Sequence, residues 1–212
     1  MDDKPISASH KPLFGSSGEH QAQVQFGTTQ RAAAFYRQQV FGELNDVMQA
    51  FIKEQEFVFI ATADAQGAAD SSFRAGLPGF IHVLSPKKLV FPEFRGNGVM
   101  ASVGNILENP QIGMMFIDFF EHRVGLHVNG WATVIDNDDV MNEPGATDAL
   151  REDAAEKGGR HPECWIVVDV EEAYIHCSKH IPILEKKKKP MYWGTDDEHA
   201  KRGSFFQSRN RK

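Results

Sequence analysis

The chain has 212 residues, 41% hydrophobic and 25% charged, which is ordinary usage for a soluble globular protein and favours one domain with terminal arms over two full domains. A formal net charge of -6 leaves no nucleic-acid footprint, and no apolar run approaches the ~20 residues that span a bilayer. The opening residues lack the basic and apolar regions of a secretory signal, and two cysteines, Cys164 and Cys177, fit a reducing cytoplasm better than a disulfide scaffold.

Residues 1–27 are rich in Ser, Gly, Gln and His without a hydrophobic period, and predict an extended or partly ordered arm. A helix is expected next, capped by Thr28 or Thr29. Val40, Phe41, Leu44, Val47, Met48, Phe51 and Ile52 form one apolar stripe on it, and it ends near Lys53–Gln55. The run 57–63 reads as a strand stopped by the turn Asp64-Ala-Gln-Gly67. A short strand over 69–73 then enters the loop Ala75-Gly-Leu-Pro-Gly79.

Residues 80–84 and 89–91 flank Ser85-Pro-Lys-Lys88 as a hairpin. A short helix opened by Asn97 or Gly98 runs through Met100, Val103, Ile106 and Leu107 to Asn109-Pro110. Strands are expected over 112–118 and 124–135, then an acidic helix over 144–157 broken by Gly158-Gly159, then strands over 164–170 and 173–177. Short strands with turns roughly every 8–12 residues predict an antiparallel barrel or sandwich. The organisation is therefore an arm (1–27), a β-rich domain with a leading helix (28–180) and a C-terminal extension (181–212).

No glycine-rich dinucleotide fingerprint or P-loop occurs. His176, Cys177 and His180 invite a metal reading, but strand alternation sends His176 and Cys177 to opposite faces and no second cluster stands at zinc-like spacing, so no metal is expected. The run Lys186–Lys189 reads as a solvated loop.

Four ordered blocks carry a resemblance: Asp70-Ser-Ser-Phe-Arg-Ala-Gly-Leu-Pro-Gly-Phe80, Phe91-Pro-Glu-Phe-Arg-Gly-Asn97, Ser102-Val-Gly-Asn-Ile-Leu-Glu-Asn-Pro110 and Leu126-His-Val-Asn-Gly-Trp-Ala132. With Ala173-Tyr-Ile-His-Cys-Ser-Lys179 they span roughly residues 55–180, and over them the chain resembles the pyridoxamine 5'-phosphate oxidase-related, FMN-binding family. The resemblance implies a mainly β fold with flanking helices, a six-stranded antiparallel split barrel. It also implies a homodimer with FMN in clefts between subunits.

FMN needs a site for its phosphate dianion, polar groups along the ring edge and apolar walls. The segment from Phe91 and Glu93 through Arg95, Gly96, Asn97 and Gly98 is the phosphate candidate. Arg95 offers a fork of donors, the glycines let the backbone come close, Asn97 caps the next helix, and Ser102 adds a hydroxyl. The plainer reading of Arg95 is a solvated side chain in a turn. Ser71, Ser72, Phe73 and Arg74 resemble the stretch that lies against the flavin, with Arg74 near the phosphate or the pyrimidine end of the ring; its alternative is a surface ion pair.

Asn129 shares a strand face with His127, for which a structural hydrogen bond is preferred to catalysis. Lys179 and Trp193 are candidates for contact with FMN or a substrate anion. No catalytic residue is assigned.

The vitamin-B6 oxidases carry an Arg-Leu-x-Pro stretch near their end, whereas this chain has Ser204-Phe-Phe-Gln-Ser-Arg-Asn-Arg-Lys212, so pyridoxamine phosphate is not the expected substrate. The expected function is an FMN-dependent oxidoreductase taking electrons from a reduced nicotinamide or a small organic donor to oxygen or an organic acceptor. The alternative is a flavin- or haem-binding protein that stores or senses without turnover.

Overall fold

The computed structural model describes residues 14–156 and 161–187, and divides into two compact units, Met1–Val40 and Phe41–Lys212. Gly158-Gly159, the Lys188–Lys189 part of the basic run and the rest of the C-terminal extension, Trp193 included, lie outside the described residues.

Residues 1–13 of the expected extended or partly ordered arm lie outside the described residues, and 17–25 of it form a helix that its composition did not predict. Helix α1 (Ser17–Gln25) is opened by a reciprocal cap in which Ser16 Oγ accepts from Glu19 N at 3.1 Å and the Glu19 carboxylate accepts from Ser16 N at 2.5 Å. That Ser-x-x-Glu signature is legible in the sequence, and it nucleates a helix that has no apolar stripe. Helix α2 (Thr29–Gln39) lies beside it, and Gln23 Nε2 donates to Tyr36 Oη at 2.7 Å. Thr28 makes no side-chain cap.

The expected single helix over 28–55 is two helices. The chain turns extended at Val40, in the two-residue strand β1 (Val40–Phe41), and helix α3 (Asp46–Glu54) starts afresh where Asn45 Oδ1 accepts from Met48 N at 3.0 Å. Leu44 and Ile52 enter the core, while Val47 is left exposed. A side-chain cap at Asn45 competes with helix continuation, and hydrophobic spacing alone does not register it.

The second unit is an antiparallel sheet built from β2 (Phe57–Ala63), β3 (Ala69–Ala75), β4 (His82–Ser85), β5 (Lys88–Glu93), β6 (Gln111–Ile117), β7 (Gly125–Ile135) and β8 (Cys164–His176). The strand order is β3-β2-β6-β7-β8-β5-β4, with β1 on β8, so eight strands stand where six were expected and the path does not close. The two final strands of the sequence reading are one. Asn129 pairs with Glu172 and Gly130 with Val170, leaving Glu171 as an extra residue that kinks β8 without ending it.

Alternation sorts the strands. Val58, Ile60, Met114, Phe116, Leu126, Val128, Leu89 and Phe91 face one core, while Val90, Trp165 and Val167 face a second beneath helices α5 (Asn137–Val140) and α6 (Asp148–Ala154). Strands β5 and β8 are thus covered on both sides, which is why 88–91 and 165–168 read as nearly unbroken apolar runs. Helix α4 (Ala101–Glu108) runs back along β2, with Asn105 Nδ2 donating to Thr62 Oγ1 at 3.0 Å and Glu108 accepting from Ala65 N at 3.1 Å. Its first turn therefore lies on the side of the Ile60–Ser72 pair. No described helix is long and apolar enough to cross a membrane.

Candidate functional site

The residues singled out from the sequence fall into two groups on opposite sides of the sheet. On the core side of the terminal strand β3, Arg74 reaches across to Glu93 at the end of β5. Its Nε donates to Glu93 Oε2 at 2.7 Å, and its Nη1 donates to Ser72 Oγ at 2.7 Å and Phe73 O at 3.1 Å. The side chains of Arg74 and Glu93 are only 17% and 8% exposed. Burial pushes the Glu93 carboxyl above its ordinary value, against the pull of Arg74. The pair joins β3 to β5, strands that the hydrogen-bonded order holds far apart, at the opening where the sheet does not close.

From Glu93 the chain enters a tight turn. Gly96 and Gly98 have φ of 54° and 78°, and Met100 has φ of 53°, conformations in the left-handed region. Gly98 N donates to Arg95 O at 2.8 Å, and Asn97 Oδ1 accepts from Val99 N at 3.0 Å. Asn97 thus shapes the turn without capping the helix, which begins at Ala101 after Met100 and carries no side-chain cap. Ser102, in the first turn, is 3% exposed, and its hydroxyl has no hydrogen-bond partner among the described residues. Arg95 is exposed on the same turn. Phe91 is wholly buried, so its side chain is core and has no face to offer a ligand.

The second group lies on the outer face, where Ser71, Phe73, Asn129 and His127 stand in cross-strand rows. Phe73 pairs with Phe59, Phe59 with Met115, Met115 with His127 and His127 with Tyr174; Ser71, Ala61, Gly113, Asn129 and Glu172 form the next row. Phe73 is 54% exposed and stacks on Phe57 at 5.6 Å, which in turn stacks on Phe119 at 6.1 Å. Asn129 Nδ2 donates to Glu172 Oε1 at 2.8 Å.

His127 and His176 share a hydrogen bond, with Nε2 and Nδ1 2.9 Å apart, and the His127 ring stacks on Tyr174 at 4.7 Å. Burial first, and then the charge of His176, hold the His127 pKa below its usual value. The structural reading of His127 thus has its hydrogen bond. Lys179 sits in an exposed 3-10 turn, Ser178–His180. Among the described residues no three His, Cys, Asp or Glu side chains converge as a metal site.

A feature the sequence did not disclose is a cleft of about 680 Å³ walled by Gly76, Pro78, Phe80, Phe94 and Trp165. Its one side is α6, whose Asp153 accepts from buried His82 Nε2 at 2.9 Å. The volume suits a small-molecule ligand. It forms because Gly76 lets the Phe80 ring fold onto the backbone, where a Cβ would collide with it. Only the pairing of β3 and β5 ends with a helix sixty residues later creates it, and no local signal marks such a contact.

HupZ of Group A Streptococcus is similar in fold: it is 21% identical, with 62% of this chain and 93% of that one covered at a TM-score of 0.46. General Stress Protein 26 of Bacillus anthracis is 13% identical over 59% of this chain and 88% of its own, at 0.41. The haem storage protein HutZ of Vibrio cholerae is 14% identical over 63% and 94%, at 0.37. No curated protein matches the chain. The family model for pyridoxamine 5'-phosphate oxidase matches residues 44–177, more than half of the chain and nearly the whole sheet, so the chain belongs to the pyridoxamine 5'-phosphate oxidase family.

Proposed function

We propose that the chain is an FMN-binding oxidoreductase, passing electrons from a reduced nicotinamide or small organic donor to oxygen or an organic acceptor. The observation that carries the reading is Ser102. Ser102 is 3% exposed and its hydroxyl is unpartnered among the described residues; in the uncapped first turn of α4 it is a donor beside helix amides that favour an anion. The left-handed turn over 96–100 lets the backbone approach a phosphate, and Arg95 stands on that turn.

Arg95, Ser102 and the α4 amides would hold the phosphate, Ser72 and Arg74 would border the ring at the opening between β3 and β5, and the cleft beginning at Ala75 and Phe94 offers apolar walls. FMN, when bound, supplies the two-electron chemistry. The chain's own residues bind, orient and exclude water. The reading also includes a homodimer in which a second copy covers the aromatic outer face. Exposed Phe73, with Phe57 and Phe119 behind it, supports that.

Titration of the purified protein with FMN, followed by flavin fluorescence, tests the reading. Wild-type protein is expected to bind one FMN per chain, and Ser102→Ala to bind roughly tenfold more weakly, the loss of one hydrogen bond to a charged group. A protein that takes up no FMN sinks the flavin reading, and a haem-like absorption spectrum would put the haem-binding alternative in its place.

A further inference from the structure

We propose that Glu93 is an internal counter-ion to Arg74 that sets how much positive charge reaches a bound flavin, and with it how readily that flavin is reduced; this rests on the flavin reading above.

The geometry fixes Arg74 from three directions. Glu93 takes Nε at 2.7 Å, and Ser72 and the Phe73 carbonyl take Nη1 at 2.7 and 3.1 Å. The guanidinium is thus held at the opening by groups of this chain before any ligand arrives. Glu93 is the carboxylate paired with it, and at 8% side-chain exposure that carboxylate is little screened by water. A lone arginine here would present a full positive charge. The pair presents a dipole with the guanidinium toward Ser72 and no net charge.

The distinction matters for a flavin because reduction changes its charge. Oxidised FMN takes two electrons and one proton to become the anionic hydroquinone, so the ring gains one negative charge. A cation beside the ring favours the reduced form, and a neutral pair does so much less. Glu93 therefore holds the bound flavin at a lower potential than Arg74 alone would give.

The test is the midpoint potential of FMN on the purified holoprotein, with dithionite as reductant and a dye of known potential as reference. Glu93→Gln keeps the shape and an acceptor for Arg74 but removes the negative charge. It is expected to raise the affinity for reduced relative to oxidised FMN about tenfold, which is about 30 mV for a two-electron couple. Arg74→Gln is expected to move the ratio the other way. The double variant, neutral like the wild-type pair, is expected to return near the wild-type value, which a merely structural role would not produce.

Should Glu93→Gln fail to fold, Arg74→Gln decides on its own, and an unchanged ratio overturns the proposal. A wild-type protein that binds FMN while Glu93→Gln leaves its potential within a twofold change of the ratio overturns this proposal alone. A wild-type protein that binds no FMN overturns the flavin reading with it.

Discussion

Arg74 Nε and Glu93 Oε2 meet at 2.7 Å and tie together β3 and β5, strands that sit toward opposite ends of the sheet's hydrogen-bonded order. The ion pair, with no backbone ladder beside it, spans the opening of the split barrel. Removing one member strands the other in a site only 17% exposed. Glu93→Ala is therefore expected to lower the free energy of unfolding in urea by about 3 kcal/mol. Glu93→Gln is expected to cost well under half of that, because the amide oxygen still accepts from Arg74. Equal losses in the two variants would show that shape and not pairing matters there.

The two cysteines should separate cleanly in reactivity. Cys164 opens β8 beside Glu93 and Glu163. Burial, then those two carboxylates, push its thiol up to about 11. The thiolate is the reactive form, so Cys164 is expected to resist a thiol reagent at pH 8 in the folded protein. Cys177 is exposed and is expected to react first. Mass spectrometry after brief alkylation, with and without denaturant, checks the order, and rapid labelling of Cys164 in the native protein would refute it.

Acid should weaken the outer face at His127. Its pKa is depressed in the folded state by burial and by His176, so the folded protein binds a proton there less readily than the unfolded chain. The stabilisation is present above the ordinary histidine value of ~6.5 and is lost as pH falls from there through the lower folded value. Urea midpoints measured from pH 7.5 down to pH 5 are expected to decline, and to decline less in His127→Gln. An equal slope in the variant would assign the acid sensitivity elsewhere.

Gly130 stands at the kink between β7 and β8, where a Cβ would run into the Asp169 carbonyl oxygen, which is backbone and cannot step aside. Gly130→Ala is expected to destabilise the protein by ~2 kcal/mol, read as a shift in the urea midpoint. Gly67, in the β2–β3 turn, has open space around it, although its φ of 82° makes alanine there a strained residue for a different reason.

The strands were the most legible part of the chain, since the β-rich runs 57–63 and 112–118 and the turns at Asp64–Gly67 and Ser85–Lys88 act over a few residues. The family blocks likewise single out Ser72, Arg74, Glu93 and Ser102 as candidates. Local competition hid other features. The Ser16–Glu19 box and the Asn45 cap overrode the absence of a stripe in one place and the presence of one in another.

What sequence alone determined is the antiparallel β class and the family, because these rest on patterns within a strand or a turn. Only the tertiary structure decided that Arg74 is paired with Glu93, that Phe91 belongs to the core, and that a cleft opens against α6. Each of those depends on which distant strands become neighbours. That choice is made by burying apolar faces from both ends of the chain at once, and no local window contains it.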